Sequence, residues 1–457
     1  MKLGMPRPDL KRLLQLAVVT AFVVGGVTAL RMTQAATPAL TAEPDQGVLS
    51  GSVAVVLEAS ASGGRGVKFG VGTGSGLGIG QPGKMGGLWL HLNGTPMSST
   101  MIATEAKRRQ IIVLNAWEHS YIPAFKAANP NVMILVYKDL SSTRSYACHN
   151  GVDDPLQPAG MGYCSTLASH PDWFLKNAAG ARMEYTNYPG HWLMDIGNSA
   201  YQQAWLQNVK NDLVARNWDG VLMDNALFAC DQYSPGVCPA KYPTNASIQT
   251  AYKSMLATTY PGLRAANKIS IANLANARLH AGQWDAYTTY LDGGFDEWWL
   301  AFGANSYVPE YGSPSQGWKA QVDEVASSVA RGKYAIVQPH TGLTDTRGMY
   351  FALASYFLVK DSRSVFSEIG ATDSYGEPTP WRPAFDWNLG NPTESMTALS
   401  TNVYRRTFSC GLVAANASGS YTLNLGKAYL NESGTSVTSV VLAQTTGTVL
   451  RVPGCTP

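Results

Sequence analysis

Short apolar runs separated by amphipathic stretches dominate the chain between Leu88 and Glu368. Eight such runs occur, and each has the length of a strand that is buried on both faces. They are Leu88–Leu92, Ile111–Ala116, Val132–Lys138, Gly220–Asn225, Lys268–Leu274, Gly294–Leu300, Tyr334–His340 and Ser364–Ile369. A further run, His191–Gly197, is interpreted as a minor strand in the long connection after the third run.

Helix-like segments lie between several of these runs. One begins at Ser199, which is placed as an N-cap, and carries apolar residues at four-residue spacing as far as Asn217. A second spans Trp318–Arg331. Strands that alternate with helices form a mostly parallel sheet, and eight repeats in ~250 to 300 residues fit a closed barrel. We therefore predict an α/β fold, a (β/α)8 TIM barrel over residues 85–390.

The pattern changes on both sides of this region. Residues 37–84 are rich in Gly, Ser and Ala and have neither helical nor alternating periodicity, so a flexible linker is expected. After about Asn391 apolar and polar residues alternate between Gly, Asn and Ser turns. This alternation predicts a small antiparallel β domain over residues 391–457.

Residues 1–36 have the features of an export signal. Basic side chains precede an uncharged apolar run, Leu13–Leu30, and small residues follow it. The run is close to the ~20 residues that span a bilayer, so an uncleaved membrane anchor is the alternative to a cleaved signal peptide. Both alternatives place the protein outside the cell or in the cell envelope.

Six cysteines behind an export signal favour disulfides. The predicted pairs are neighbours along the chain, because each pair then lies within one loop or one small domain: Cys148 with Cys164, Cys230 with Cys238, and Cys410 with Cys455. No CxxC motif or nearby His spacing supports a zinc site. We expect no metal and no other cofactor.

Composition narrows the class of partner. Charged residues make up 14% of the 457 residues and the net charge is +3, whereas ~25% charged residues is usual for soluble domains. This balance offers no basic surface for nucleic acid. The 22 Tyr and 12 Trp residues carry both apolar faces and hydrogen-bonding groups, which suits a carbohydrate. We expect a monomer that binds carbohydrate and contacts a membrane only through an uncleaved N-terminal anchor.

In a closed parallel barrel, catalytic side chains lie at the carboxyl ends of the strands. Two carboxylates follow apolar strand residues directly, Asp224 after the fourth run and Glu297 in the sixth. Cleavage of a glycosidic bond requires such a pair, because one group attacks or activates water while the other delivers a proton. The alternative is structural, with Asp224 as a cap and Glu297 in an ion pair, and the residues alone leave both interpretations open.

Other residues near the strand ends are candidates for substrate binding: His91, Asn115, Trp117, Lys138, Asp139, Asn225, Asn273, Trp298 and His340. For Lys138 a structural salt bridge is an equal alternative. For His91 and His340 the alternative is a hydrogen bond at the barrel rim.

The sequence also predicts how three residues near the strand ends are oriented. Trp298 and Trp299 are adjacent, so they face opposite sides of a strand and at most one lines the site. Asp195 lies shortly before the helix that begins at Ser199. We expect Asp195 to cap that helix rather than to lie near Asp224.

Three stretches resemble the glycosyl hydrolase-like family 15: Ile111–Glu118, Phe125–Val132 and Leu135–Ser142. The resemblance continues through Val221–Asn225 and Gly293–Trp299 and covers about Leu88–Glu368. It implies a TIM-barrel glycoside hydrolase. By similarity to this family and to retaining α-glycosidase barrels, Asp224 would be the nucleophile and Glu297 the general acid/base.

Pattern, composition and resemblance together predict a secreted glycoside hydrolase. We expect it to act on a neutral or weakly charged polysaccharide or oligosaccharide by a two-carboxylate, retaining mechanism. The alternative is a non-catalytic carbohydrate-binding or cell-wall-associated protein on the same scaffold. A deacetylase or esterase lacks support, because the sequence has no Gly-x-Ser-x-Gly turn and no metal-type His pair.

Overall fold

The computed structural model describes residues 77–308, 317–370 and 375–457, together with the backbone of 53–57 and 65–69. The predicted export segment, 1–36, lies outside these residues, as does most of the predicted linker. Within the linker range, Val53–Leu57 and Arg65–Phe69 pair as an antiparallel hairpin, which the sequence pattern did not indicate.

Eight parallel strands close into a barrel in the order of the sequence, and the last strand pairs with the first. They are β1 (Gly87–His91), β2 (Arg109–Leu114), β3 (Met133–Asp139), β4 (Gly220–Asp224), β5 (Ile269–Asn273), β6 (Gly293–Asp296), β7 (Tyr334–Val337) and β8 (Ser364–Phe366). Every predicted run overlaps one of these strands. The predicted TIM barrel is therefore confirmed.

Helices surround the barrel and connect its strands. They are α1 (Ser99–Arg108), α2 (Ile122–Ala128), α3 (Tyr163–Ser169), α4 (Ser199–Ala215), α5 (Asn245–Ala265), α6 (Gln283–Thr288), α7 (Trp318–Ala330) and α8 (Thr346–Val359). There are also short 3-10 helices, which span Ala116–Tyr121, Ser145–Ala147, Pro171–Trp173, Ala277–Leu279 and Pro383–Asp386. None of the helices in the described residues is both long and apolar enough to cross a membrane.

The long connection between β3 and α4 contains its own short strands. Ser142–Arg144 pairs with His191–Leu193, which confirms the minor strand expected there, and Cys148–His149 pairs with Val152–Asp153. The connection therefore folds back on itself over the barrel mouth.

The N-cap of α4 differs from the predicted one. Asn198 caps the helix, because its side-chain oxygen accepts hydrogen bonds from the backbone N–H groups of Ala200 and Tyr201. Asp195 was expected to cap this helix, but its carboxylate instead binds Lys241 and Tyr242. The predictions for Ser199 and Asp195 are therefore wrong, whereas the helix itself is present.

Side-chain alternation divides each barrel strand between two layers. One set of residues fills the barrel interior, including Leu88, Leu90, Ile111, Val113, Leu135, Leu222, Ile271, Phe295 and Ile336. The other set packs beneath the helices, including Trp89, Ile112, Ile134, Val136, Val221 and Met223. At the carboxyl end of a strand this parity decides whether a polar side chain reaches the mouth or the helix layer.

A six-stranded antiparallel sheet follows the barrel, in the order β9-β10-β11-β14-β12-β13. Its strands are β9 (Thr397–Ser400), β10 (Val403–Phe408), β11 (Gly411–Asn416), β12 (Tyr421–Leu430), β13 (Ser436–Leu442) and β14 (Thr446–Arg451). Strands β11 and β14 pack on α8, which is buried along almost its whole length. Gly447 allows the close approach, because a Cβ there would lie 2.6 Å from Cβ of Ala354.

All six cysteines form disulfides, and the three predicted pairs are present. Cys148 pairs with Cys164 and Cys230 with Cys238, both within connections at the barrel mouth. Cys410 pairs with Cys455 and joins the beginning of β11 to the chain's last residues. Each bridge restrains a segment that has little core of its own.

Lys360 joins the segment before β1 to the end of α8. Lys360 is 1% exposed, and its ammonium group donates hydrogen bonds to the backbone carbonyls of Gln81, Pro82 and Lys84 at 2.7, 2.9 and 2.7 Å. Three acceptors require three N–H donors, which an ammonium group supplies. The side chain therefore binds three partly buried carbonyls at once.

Replacing Lys360 with Met should lower the free energy of unfolding by about 3 kcal/mol and the Tm by roughly 4 °C, because three partly buried carbonyls lose their donors. Thermal unfolding followed by circular dichroism measures the change. Lys427→Met is the matched control, since Lys427 is an exposed residue of β12. Equal Tm values for the two variants would show that the three hydrogen bonds contribute nothing to stability.

Candidate active site

A pocket of about 390 Å³ opens at the carboxyl ends of the barrel strands. Its apolar floor includes Leu90, Leu222 and Phe295 from the barrel interior. Six of the predicted site residues line it: Asn115, Trp117, Asp224, Asn225, Asn273 and Glu297. The barrel therefore brings both predicted carboxylates to one cavity.

Asp224, Asn273 and Glu297 stand at the ends of the consecutive strands β4, β5 and β6 and form one hydrogen-bonded unit. The side-chain nitrogen of Asn273 donates to Oδ1 of Asp224 at 3.0 Å and to Oε2 of Glu297 at 2.6 Å. Because both oxygens bind one nitrogen, their separation cannot exceed the sum of these two distances. The amide thus limits the distance between these two carboxylate oxygens.

Asp224 accepts two further hydrogen bonds. The hydroxyl of Tyr137 donates to Oδ2 at 2.6 Å, and the backbone N–H of Asn225 donates to Oδ1 at 2.9 Å. Burial and the negative charge of Asp139 raise the pKa of Asp224, while the hydrogen bonds from Tyr137, Asn273 and Asn225 oppose this shift. The donors hold the carboxylate in one orientation.

Asp139 lies behind Asp224 and is fully buried. Its carboxylate accepts hydrogen bonds from the backbone N–H groups of Ser141 and Ser142, at 2.8 and 2.7 Å, and forms an ion pair with Arg144 at 2.8 Å. The amide of Asn225 donates to the same carboxylate. Asp139 is therefore a structural anion that joins the ends of β3 and β4, and the prediction that it contacts substrate is wrong.

Asn225 adopts a left-handed backbone conformation with φ of +61°. Asn is one of the few residues that tolerate this region. The turn directs the side chain to Asp139 and to the hydroxyl of Tyr233, which donates to Oδ1 at 2.8 Å.

Glu297 receives a second hydrogen bond from a residue far along the chain. The hydroxyl of Tyr375 donates to Oε1 of Glu297. Tyr375 follows β8 and is held over the mouth, because its carbonyl accepts the N–H of Leu92 at 2.8 Å and the carbonyl of Gly376 accepts Nε1 of Trp89 at 2.8 Å.

Two predicted contacts point away from the pocket because their strand positions face the helix layer. Lys138 forms a salt bridge with Asp212 of α4 at 2.9 Å, which is the structural alternative. His91 is buried with Nδ1 3.3 Å from Oε1 of Glu118. Neither side chain lines the pocket, and the prediction of substrate contact is wrong for both.

Trp298 and His340 also lie outside the lining of the pocket. Their rings stack on each other with centroids 3.6 Å apart, and Trp299 is fully buried in the core. Strand β6 ends at Asp296, and Glu297 beyond it reaches the pocket, whereas Trp298 turns to His340. The predicted contacts of Trp298 and His340 with substrate are corrected accordingly.

Most of the pocket wall is formed by residues that the sequence pattern did not single out. They are Tyr137, Arg144, Tyr146, Tyr185, Tyr188, His191, Tyr233 and Tyr375. Except for Tyr137 in β3 and His191 in the minor strand, these residues lie in connections whose course the strand pattern does not define. The high Tyr content was the available signal, since it indicated hydrogen-bonding aromatic rings without locating them.

Several solved structures of glycoside hydrolases are similar to this chain at low identity. The glycoside hydrolase domain of PelA from Pseudomonas aeruginosa is 11% identical, with 64% of this chain and 99% of that chain covered and a TM-score of 0.41. Ega3 of Aspergillus fumigatus, in complex with galactosamine, is 11% identical, with 65% and 94% covered and a TM-score of 0.39. The noncanonic maltogenic alpha-amylase AmyB of Thermotoga neapolitana is 12% identical, with 80% and 96% covered and a TM-score of 0.46.

No curated protein matches the sequence. A family model does match, over residues 126–412, which is more than half of the chain. The matched range begins in α2 and includes Asp224, Asn273, Glu297 and Tyr375. The chain therefore belongs to the hypothetical glycosyl hydrolase family 15.

Proposed function

We propose that this protein is a glycoside hydrolase that cleaves O-glycosyl bonds of a polysaccharide or oligosaccharide by a retaining, two-carboxylate mechanism. The observation that carries the proposal is the Asn273 amide shared by Asp224 and Glu297 at the barrel mouth. A sugar in this pocket would have its anomeric carbon near one carboxylate and its glycosidic oxygen near the other. Family membership supports the class of reaction.

Asp224 is the proposed nucleophile. Its carboxylate attacks the anomeric carbon while Glu297 gives its proton to the leaving glycosidic oxygen, and a covalent glycosyl ester forms. Glu297 then removes a proton from water, and the hydroxide attacks the anomeric carbon and releases Asp224. The bonds from Tyr137 and Asn225 leave the Asp224 carboxylate oriented for the first step.

The spacing of the carboxylates supports retention of anomeric configuration. Retaining pairs are ~5 to 5.5 Å apart, whereas inverting pairs need ~6.5 to 9.5 Å to hold a water molecule. The two oxygens bound to Asn273 lie within the sum of 3.0 and 2.6 Å. That limit agrees with direct attack by Asp224 rather than with an intervening water.

The proposed cellular setting is outside the cytoplasm. Three disulfides support folding in an oxidising compartment, where such bonds persist. Soluble or wall-bound polysaccharides would be accessible there.

Replacing Asp224 with Asn should lower hydrolysis by ~10³-fold or more, because the amide cannot form the glycosyl ester. Release of reducing ends is measured for the purified protein on a panel of cell-wall and storage polysaccharides. Asp172→Asn is the matched control, since Asp172 is exposed and does not line the pocket. Full turnover by Asp224→Asn would exclude this residue as nucleophile, and binding without hydrolysis by the wild-type protein would favour a non-catalytic carbohydrate-binding protein.

The first product of hydrolysis should have the anomeric configuration of the substrate, as two successive displacements restore it. Proton NMR of the early product reads this configuration. With Glu297→Ala, azide should take the place of water and yield a glycosyl azide of retained configuration. An inverted first product would contradict the assignment of Asp224 as nucleophile.

Replacing Tyr137 with Phe should move the acidic limb of the kcat/KM profile to higher pH by about one pH unit. Burial keeps the pKa of Tyr137 well above its usual range, so the hydroxyl stays a donor. A hydrogen bond to a charged group is worth ~1.5 kcal/mol, and its loss further raises the pKa of Asp224. Tyr146→Phe is the control, because its hydroxyl faces His191 instead. If the acidic limb of the kcat/KM profile is unchanged in Tyr137→Phe, ionisation of Asp224 does not determine that limb.

A further inference from the structure

Three strongly exposed aromatic side chains stand around the same pocket. Trp117, Tyr146 and Tyr188 are 45%, 53% and 45% exposed and all line its wall. Aromatic rings bury ~150 to 250 Å² each when covered, so they are normally withdrawn from water. Their concentration at one opening indicates a ligand that covers them.

Tyr146, His191 and Tyr188 form a continuous surface on one side of the opening, which we call the aromatic platform. The ring centroid of His191 lies 5.8 Å from that of Tyr146 and 5.5 Å from that of Tyr188, with the latter pair stacked. The hydroxyl of Tyr146 lies 3.4 Å from Nε2 of His191. The three rings are therefore neighbours in the wall of the pocket.

The backbone holds the platform in place before any ligand binds. The N–H of Ser145 donates to the carbonyl of Gly190 at 2.9 Å, and the N–H of His191 donates to the carbonyl of Tyr188 at 3.1 Å. Gly190 has φ of +87°, and a Cβ there would lie 2.8 Å from Cδ1 of Tyr146. Only glycine allows this approach, so the position of Tyr146 is part of the fold.

A disulfide restrains the same segment. Tyr146 lies in the 3-10 helix Ser145–Ala147, and the next residue, Cys148, is bonded to Cys164. On the other side, Arg144 pairs with His191 in the antiparallel ladder. A preorganised surface loses little conformational entropy when it binds a ligand.

The platform offers aromatic faces without net charge. Burial and the positive charge of Arg144 lower the pKa of His191 to about 4, so its ring is neutral at physiological pH. The guanidinium of Arg144 is bound to Asp139 and Ser142. Among the residues that line the pocket there is no Lys and no other Arg, so an anionic sugar would find no free cation there.

We propose that the aromatic platform is a binding subsite for neutral sugar residues of a polysaccharide, beside the sugar that Asp224 and Glu297 act on. Apolar faces of pyranose or furanose rings would stack on Tyr146 and Tyr188, while their hydroxyls remain hydrated at the rim. This proposal rests on the proposed function in one respect, namely that the subsite lies next to the glycosidic bond that is cleaved. Binding of sugars to the platform does not depend on catalysis. It implies that the substrate is a chain of sugars rather than a simple glycoside.

The test measures binding separately from hydrolysis. In the Asp224→Asn protein, calorimetric titration is carried out with malto-, cello-, xylo- and manno-oligosaccharides of increasing length. At least one neutral series should bind more tightly as the chain grows. Tyr188→Ala should then weaken binding of the long members about tenfold, whereas Tyr188→Phe, which keeps the ring, should stay within about twofold. Tyr290→Ala is the matched control, because Tyr290 is 37% exposed and lies outside the pocket.

Affinity that does not change with chain length in any neutral series would overturn the proposal, as would full affinity in Tyr188→Ala. Preference for oligouronates or for deacetylated amino-sugar oligomers would overturn the neutral class. Should Tyr188→Ala fail to fold, as judged by circular dichroism, Tyr146→Ala makes the same comparison at a more exposed ring. Absence of hydrolysis by the wild-type protein, with binding intact, would reject the glycosidase proposal and leave the platform standing.

Discussion

Closure of the parallel barrel is the constraint on which the rest of the structure depends. A closed sheet has no edge, so every strand residue faces either the filled interior or the helix layer. In β3 this parity turns Tyr137 toward Asp224 and Lys138 toward Asp212 of α4. Two polar residues that are adjacent in β3 therefore have different roles, since Tyr137 binds a carboxylate at the mouth and Lys138 binds a helix.

The buried carboxylates near the barrel mouth require hydrogen-bond donors. Burying a carboxylate is costly unless it is paired and hydrogen-bonded. Asp139 meets this requirement with Arg144 and two backbone N–H groups, and Asp224 meets it with a phenol, an amide and one backbone N–H. The donors to Asp224 are all neutral, whereas Asp139 is paired with a guanidinium. This difference supports the proposed role of Asp224, because a carboxylate without a cationic partner can stabilise positive charge that develops on a sugar ring.

The sequence predicted the parts of the protein that periodicity controls. The eight strands, the C-terminal sheet and the convergence of Asp224, Asn273 and Glu297 follow from patterns within single strands. Trp298 was misplaced because it lies beyond the end of β6, where the strand pattern does not define the direction of a side chain. Tyr188 and Tyr375 were missed because they reach the mouth from irregular connections, whose course depends on contacts distant in sequence.

A third carboxylate near a strand end shows why position alone does not identify a catalytic group. Glu368 follows β8 and is 1% exposed, but both of its oxygens bind the guanidinium of Arg382. The same guanidinium donates to the carbonyl of Leu343, so the pair ties the segment after β8 to the connection after β7. That segment carries Tyr375, whose hydroxyl binds Glu297. Glu368 is thus held in an ion pair, whereas Asp224 and Glu297 share the side-chain amide of Asn273. That shared amide is the reason why Asp224 and Glu297, and not Glu368, are the proposed catalytic pair.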